Sequence, residues 1–450
     1  MVVAQELSKW IVEPTNELSG ASGYDARKRH RTTDSTTHYG ATEANDMFQA
    51  ISDDIDGLNG GLVYIKNGVY PIDSGGAGHV WGQVDWPAND DGVGSDYFIH
   101  LLGETRDGVI IKNANSSAVD EILFTMHANC LVENMCFDGD DVSDDNMNLL
   151  QFHNSGNPYT AGMTVRNCRF RKHTGIGVLT DNARYVELIG NYFELPSHTS
   201  DQAAIGQSEG YCHVYGNTFE RLSGALELDG SSLTSGCMEN AVISNNVIRR
   251  EPSHYFAGIS LEPFDSNPDY HNILISNNNI QNGVISVGGL GTWGTLFHNV
   301  HVVGNSITGA HIQYLGPESG VTDQVKDCSI RNNILYDPYY AGISITATAG
   351  RLVVSKNEIH HSNIAQDATT FDKGCFYIAD TVDLVVNDND LYMDVVDPED
   401  SNYCPMGIKT AGTNENFEMR ENRIHNRTVA NASYQLSGSF TGTKLISMSK

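Results

Sequence analysis

One alternating apolar phrase recurs eleven times in this chain, and nine copies carry asparagine two residues before the closing apolar side chain. The copies read CLVENMCF, MTVRNCRF, VELIGNYF, CHVYGNTF, AVISNNVI, ILISNNNI, VHVVGNSI, CSIRNNIL, LVVSKNEI, LVVNDNDL and FEMRENRI. The asparagine column is Asn191, Asn217, Asn246, Asn278, Asn305, Asn333, Asn357, Asn389 and Asn422, with Met135 and Cys168 in that place in the first two copies. Successive copies lie 23 to 33 residues apart. The two-residue alternation inside each phrase is the period of a strand with one buried face. Gly and Asn crowd the corner that follows, and both tolerate the left-handed backbone a corner requires. A second strand usually comes next, as in GIGVLTD from Gly175, GALELDG from Gly224, AGISLEP from Ala257, AGISITA from Ala341 and MGIKTAG from Met406.

Strands this short cannot each bury a face alone, but stacked as coils they share one core. Asparagine at one corner of every coil would then stack on itself, each amide bonding the next. Propeller blades need about 40 residues, and leucine-rich repeats need leucines this chain lacks. The expected fold class is all-β, a right-handed single-stranded parallel β-helix (a solenoid). Of the eight cysteines, Cys130, Cys212 and Cys328 share one inward apolar position, where they act as small hydrophobes. No C-x-x-C spacing occurs, so no zinc site is expected.

The asparagine phrase resembles the repeat of the pectate-lyase-like superfamily of parallel β-helices, over roughly residues 100–426. Upstream, ATEANDMFQAISDDIDGLNGGLVYIKNGVYPI resembles the helix, glycine turn and strand that open many bacteriophage tailspikes. Thr42 can cap such a helix, and Ala44, Phe48, Ile51 and Ile55 fall on one face of it. That N-terminal capping helix would plug the open end of the first coil. The acidic motif usual ahead of it is only loosely present, as TTDSTTHYGATEAND. The expected organisation is an anchoring or docking segment (residues 1–40), the capping helix and first strands (41–98), the β-helix (99–426) and a C-terminal cap or trimer contact (427–450). Association as a homotrimer is what the resemblance implies.

Charge narrows the partners. Fifty-six acidic residues stand against 27 basic ones, a net charge of −29, and 35 of the acids are aspartate. Such a surface repels nucleic acid. It resembles the surfaces of haloarchaeal proteins, where salt screens self-repulsion. No run approaches the roughly 18 apolar residues of a membrane helix, so no membrane insertion is expected. The first residues, MVVAQELSKWIVEPT, lack a signal peptide's basic end and apolar stretch. A basic knot, Arg27, Lys28, Arg29, His30 and Arg31, could dock on an acidic partner.

The resemblance implies sugar binding along an outer face, which directs attention to outward positions of the second strand. In ALEL, Leu226 and Leu228 read as inward, so Glu227 and Asp229 point out. In ISLE, Ile259 and Leu261 read as inward, so Ser260 and Glu262 point out. Aligned coils put Ser260 beside Glu227 and Glu262 beside Asp229, about 4.8 Å apart, with residues two apart on one strand about 6.6 Å apart. Retaining glycosidases hold two carboxyl groups about 5–5.5 Å apart and inverting ones about 6.5–9.5 Å. Crowded carboxylates raise one another's pKa and so supply a general acid. Glu227, Asp229 and Glu262 are therefore the candidate catalytic residues, with Asp181, His254, Tyr255 and Asp265 as candidate substrate-binding residues around them. The competing readings are chance alignment of surface acids and a Ca2+ site; no other cofactor is expected. Lyases of the superfamily use Lys or Arg as base, yet the outward positions hold Gly206, Glu227, Ser260, Gln313 and Ser344, and only Lys409 is basic.

The function expected from these features is a virion-associated, tailspike-like β-helix protein that engages a cell-surface polysaccharide or glycoprotein glycan and has the groups to cleave it. Its other partners would be virion proteins, and its place the virion surface or the extracellular space. The alternatives are a free polysaccharide-degrading enzyme, hydrolase or lyase, and a non-catalytic structural surface protein.

Overall fold

A computed structural model describes residues 8–15, 23–29, 36–41, 44–56, 60–72, 84–86, 98–114, 122–127, 129–139, 148–153, 162–173, 175–181, 183–194, 208–220, 224–228, 237–250, 257–261, 269–288, 296–315, 323–338, 340–361, 374–392, 407–425, 434–436, 439–442 and 445–448. The chain divides into two compact units, Met1–Leu222 and Ser223–Lys450. Each is a run of parallel β-helix coils, of the right-handed kind expected.

In the first unit each coil contributes a long strand and a short strand, and four of them a third strand among the described residues. The long strands Gly60–Ile65, Phe98–Gly103, Asn129–Glu133, Gly162–Arg166, Ala183–Ile189 and Ser208–Tyr215 pair in parallel, each with the next coil's. The third strands Val84–Trp86, Ile122–Met126, Asn148–His153 and Val178–Asp181 form a parallel sheet of their own. Phe137, Phe170, Phe193 and Phe219, the closing residues of four phrases, stack inside the core at 4.8–5.2 Å between ring centroids. The helix Ala44–Asp56 buries Ala44, Phe48, Ile51 and Ile55, the face its spacing predicts. Phe48 meets Tyr70, Trp86 and Phe124 of the first coils. Thr42, the expected cap, lies outside the described residues. Ahead of the helix, Ser8–Thr15 pairs in parallel with Gly60–Ile65 and antiparallel with Gly23–Arg29, which carries three residues of the basic knot; His30 and Arg31 lie outside the described residues.

In the second unit the phrases continue through Glu418–His425, with Leu445–Met448 pairing beyond it. The residue before the ladder column adopts the left-handed region in all eleven phrases, with φ between 51° and 69°. Three of these are Gly, five are Asn and one is Asp388, residues that tolerate this region, but Lys356 and Glu421 take the same conformation without a short polar side chain to ease it.

The asparagines form a buried ladder. In the second unit, Asn246, Asn278, Asn305, Asn333, Asn357 and Asn389 each donate backbone N–H and side-chain Nδ2–H to the Oδ1 of the asparagine one coil on, at 2.8–3.1 Å. The second Nδ2 hydrogen of Asn278, Asn305, Asn333, Asn357, Asn389 and Asn422 goes to a backbone carbonyl of the preceding coil. Asn191 bonds Asn217 in the same way in the first unit. Cys168 ends that run: its backbone N–H donates to Asn191 Oδ1, while its side chain has no amide to extend the series. Cys130, Cys212 and Cys328 are buried, and burial pushes the Cys130 and Cys328 thiols up, away from thiolate chemistry.

Two stability effects follow. Asn305→Ala leaves both donors of Asn278 and the Ile275 carbonyl without their partner inside the core. The expected loss is on the order of 1–3 kcal/mol per orphaned group, read from denaturant midpoints. His173 is buried, donates Nδ1–H to the Gly175 carbonyl at 2.7 Å, and has no partner at Nε2. Burial pushes its pKa from 6.5 down to about 4. Between those values the unfolded chain binds a proton that the folded chain refuses, so stability falls as pH drops through that window, by up to about 1.4 kcal/mol per pH unit. His173→Asn keeps a donor for Gly175 and should flatten the decline in unfolding midpoint from pH 6.5 to 4.

Candidate functional site

The third strands of the second unit place the candidate site. Leu226 faces Ile259 and Glu227 faces Ser260 in register, as the sequence predicts. Leu226, Leu228, Ile259 and Leu261 are buried in the core, which turns Glu227 and Ser260 to the outer side of the sheet. The glycine that opens these strands has a steric cause. A Cβ on Gly342 would stand 2.5 Å from Ile359 Cγ2, and one on Gly258 or Gly283 would stand 3.0–3.1 Å from the other's Cα. The corner closes only where backbone meets the phrase's closing apolar residue without a side chain between.

Registers carry the outward position coil by coil from Glu227 through Ser260, Ser286, Gln313, Ser344 and Tyr377 to Lys409. Six steps at the coil spacing make a row of about 29 Å. Sequence reading missed Ser286 and Tyr377, although GVISV at Gly283 repeats the opening of AGISL one coil earlier. Gln313 donates Nε2–H to Ser286 Oγ at 2.9 Å. Its Oε1 lies 3.1 Å from His311 Nε2, so that nitrogen carries the proton and donates. Burial holds the His311 pKa below its ordinary value, the Gln313 bond opposing, so the ring works as a neutral donor near pH 7. Tyr340 meets the His311 ring edge-on at 5.9 Å. At the far end, Lys409 Nζ sits 5.7 Å from the centre of the Tyr377 ring.

One expectation about this row changes. Outward does not mean open: Ser260, Ser286 and Ser344 are 2%, 1% and 6% exposed. Alternation tells which side of a strand a residue takes, not what lies beyond it. Tyr377 and Ala379 pack with Ala341 into a small apolar cluster on the same side, while Glu227, Gln313 and Lys409 stay half-buried. Ser260 Oγ is buried without a hydrogen-bond partner, a state that folded proteins rarely leave unexplained.

Of the other expected site residues, Asp229, Glu262, His254, Tyr255 and Asp265 lie outside the described residues. Asp181 ends the strand Val178–Asp181 in the first unit, its backbone in register with His153. Among the described residues no group of three or more His, Cys, Asp or Glu is arranged to hold a metal ion. Chemically, the row offers hydroxyls, an amide, a neutral imidazole, a phenol and one cation along an extended line.

No family model matches this chain, and neither does any curated protein. Solved structures do. The A-module of mannuronan C-5 epimerase AlgE4 from Azotobacter vinelandii matches with a TM-score of 0.50 at 12% identity, over 89% of this chain and 96% of that one. The catalytic unit of the GH87 alpha-1,3-glucanase from Streptomyces thermodiastaticus matches at 0.49 and 13%, over 88% of this chain and 64% of its own. PfbA, a surface adhesin of Streptococcus pneumoniae, gives 0.42 and 16%, over 88% and 89%. At such identity, the likeness to the epimerase module speaks for the fold alone.

The unpartnered hydroxyl yields a direct expectation. Ser260→Ala removes a buried polar atom that has nothing to bond, so unfolding stability should stay level or rise by up to about 1 kcal/mol. A clear loss of stability in denaturant melts would show that Ser260 Oγ is bonded in the native protein.

Proposed function

We propose that this protein engages an extended polysaccharide along the outer row from Glu227 to Lys409. The observation that carries the reading is the row itself: seven coils in register place polar or hydrogen-bonding side chains on the outer side of one sheet, with Glu227, Gln313 and Lys409 half-buried and the four between and beside them buried. Spaced at about 4.8 Å, these groups follow an extended line, which suits an extended ligand better than a compact one. The fold is shared with an epimerase module named for mannuronan, itself a polysaccharide, which accords with the reading.

Cleavage is the next step of the same proposal. Glu227, Asp229 and Glu262 are assigned to it, one carboxyl donating a proton to the leaving oxygen while a second acts as base or nucleophile. Asp181, His254, Tyr255 and Asp265 are assigned to substrate binding, and a Ca2+ ion among the carboxylates is the competing use. The biological setting that fits is a tailspike-like protein of a virus particle, a homotrimer contacting other virion proteins. The helix seated on the first coils and the acidic composition support that setting.

The test follows polysaccharide viscosity in molar salt with Asp229→Asn and Glu262→Gln made separately. Each should lower the rate by about two to four orders of magnitude with binding unchanged. Cutting that persists in both variants removes the catalytic assignment. Binding without cutting in the unaltered protein leaves an attachment protein, and a monomer mass by light scattering across salt concentrations removes the trimer.

A further inference from the structure

We infer that the first unit carries a separate sugar-binding platform on the outer face of its long-strand sheet, centred on Tyr185 and Tyr211, and that its ligand is an uncharged polysaccharide. Val186, Leu188, Cys212 and Val214 are fully buried, so alternation turns Tyr185 and Glu187 outward on one strand and Tyr211, His213 and Tyr215 outward on the next. Tyr185 and Tyr211 are register partners, as are Glu187 and His213. Tyr185 is 46% exposed and Tyr215 is 44% exposed, an uncommon outlay of aromatic surface on one sheet face. Clustered apolar surface rimmed by polar groups marks binding sites.

Ring geometry separates this cluster from an aromatic run on the second unit. In the second unit, Tyr336, His360, Tyr392 and His425 stack at 4.3–4.6 Å with planes within 23° of parallel. The inner rings His360 and Tyr392 are covered on both faces, while the end ring Tyr336 has one face against His360 and Thr308 as its register partner on the other side. On the first unit's face, Tyr185–Tyr211, Tyr211–His213 and His213–Tyr215 stand 5.9–6.2 Å apart, tilted by 50–67°. Rings so tilted do not blanket each other, and a flat apolar ring face is what the C–H side of a pyranose packs against.

The coil before Tyr185 adds a notch. Its register partner there is Gly162, where any Cβ would stand 2.6 Å from Tyr185 Cβ. Position 162 therefore puts no side chain beside the ring, and Asn129 accepts the Gly162 N–H through its Oδ1 at 2.9 Å. Glu187 accepts from Thr164 Oγ1 at 3.2 Å and faces His213, so a carboxylate and an imidazole flank the rings as partners for sugar hydroxyls. Charge selects the ligand class. Glu133 is matched by Arg166 at 2.9 Å, but the chain as a whole carries −29, which disfavours a polyanion.

This platform shares its class of ligand with the reading above but none of its residues, and variants separate the two. Titration calorimetry of the full chain with laminarin and dextran, and with polygalacturonate as the polyanion, is run at low and high salt. The expected result is binding of at least one neutral glucan at both salt levels and none of polygalacturonate. Tyr185→Ala with Tyr211→Ala should weaken that binding about tenfold or more, Tyr185→Phe should retain it, and Tyr336→Ala should leave it unchanged. Circular dichroism shows that the paired alanine variant is folded. Binding that survives in that variant but is lost in Gln313→Ala overturns the platform and leaves the row Glu227–Lys409 standing. Absence of binding to either glucan overturns it too, as does a dimer by light scattering that Tyr185→Ala dissolves.

Discussion

Everything in the second unit hangs on one buried amide per coil. A carboxamide has two donor hydrogens and an oxygen with two lone pairs, and from Asn278 to Asn389 each ladder asparagine uses all four inside the core. A coil out of register by one residue would put Gly304 or Ser306 in place of Asn305, or Lys356 or Glu358 in place of Asn357, and strand several buried polar groups, each costing about 1–3 kcal/mol. The ladder therefore does what a strand's own hydrogen bonds cannot: it fixes which residue of one coil faces which residue of the next. The outer rows line up because the inner one does.

Positional repetition has a second effect, on aromatic residues. When one column holds aromatics on successive coils, the coil spacing draws the rings into contact, as with Phe137, Phe170, Phe193 and Phe219 inside and Tyr336, His360, Tyr392 and His425 outside. Such columns stiffen the solenoid and spend their ring faces doing so. The first unit's outer face breaks the pattern, with Gly162 interrupting the column before Tyr185 and with aromatics two residues apart on a single strand. That difference divides aromatic residues that brace from those that can receive.

The parts of the fold written in two-residue alternation were legible in the sequence. The eleven phrases, the asparagine column, the buried face Ala44, Phe48, Ile51 and Ile55, and the pairing of Glu227 with Ser260 were all read from spacing, because the same physics acts on every coil. Less legible was anything decided by a single coil. Lys356 and Glu421 sit in left-handed corners that their residue types do not favour, since the ladder on one side overrides local preference. The strand Ser8–Thr15 has no asparagine phrase, so its pairing with Gly60–Ile65 left no repeat to find. Burial of Ser260 and Ser286 escaped notice for another reason: the intervals between phrases vary from 23 to 33 residues, and what a long interval covers is not encoded in strand period.

The ladder also has a direction. Among the described residues, every amide-to-amide bond in it donates from one coil to the next toward the C-terminus, a file of dipoles aligned head to tail that polarise one another. Each coil thus offers its successor the same socket that it fills in its predecessor. A coil duplicated or excised between two ladder asparagines would meet identical bonds on both sides, and the body would lengthen or shorten by about 4.8 Å without redesign of its neighbours. Cys168 shows how such a file can close, with a backbone donor and no amide behind it. Reach, for a protein built this way, is a quantity that gene duplication can adjust in fixed increments while its binding faces are carried along unchanged.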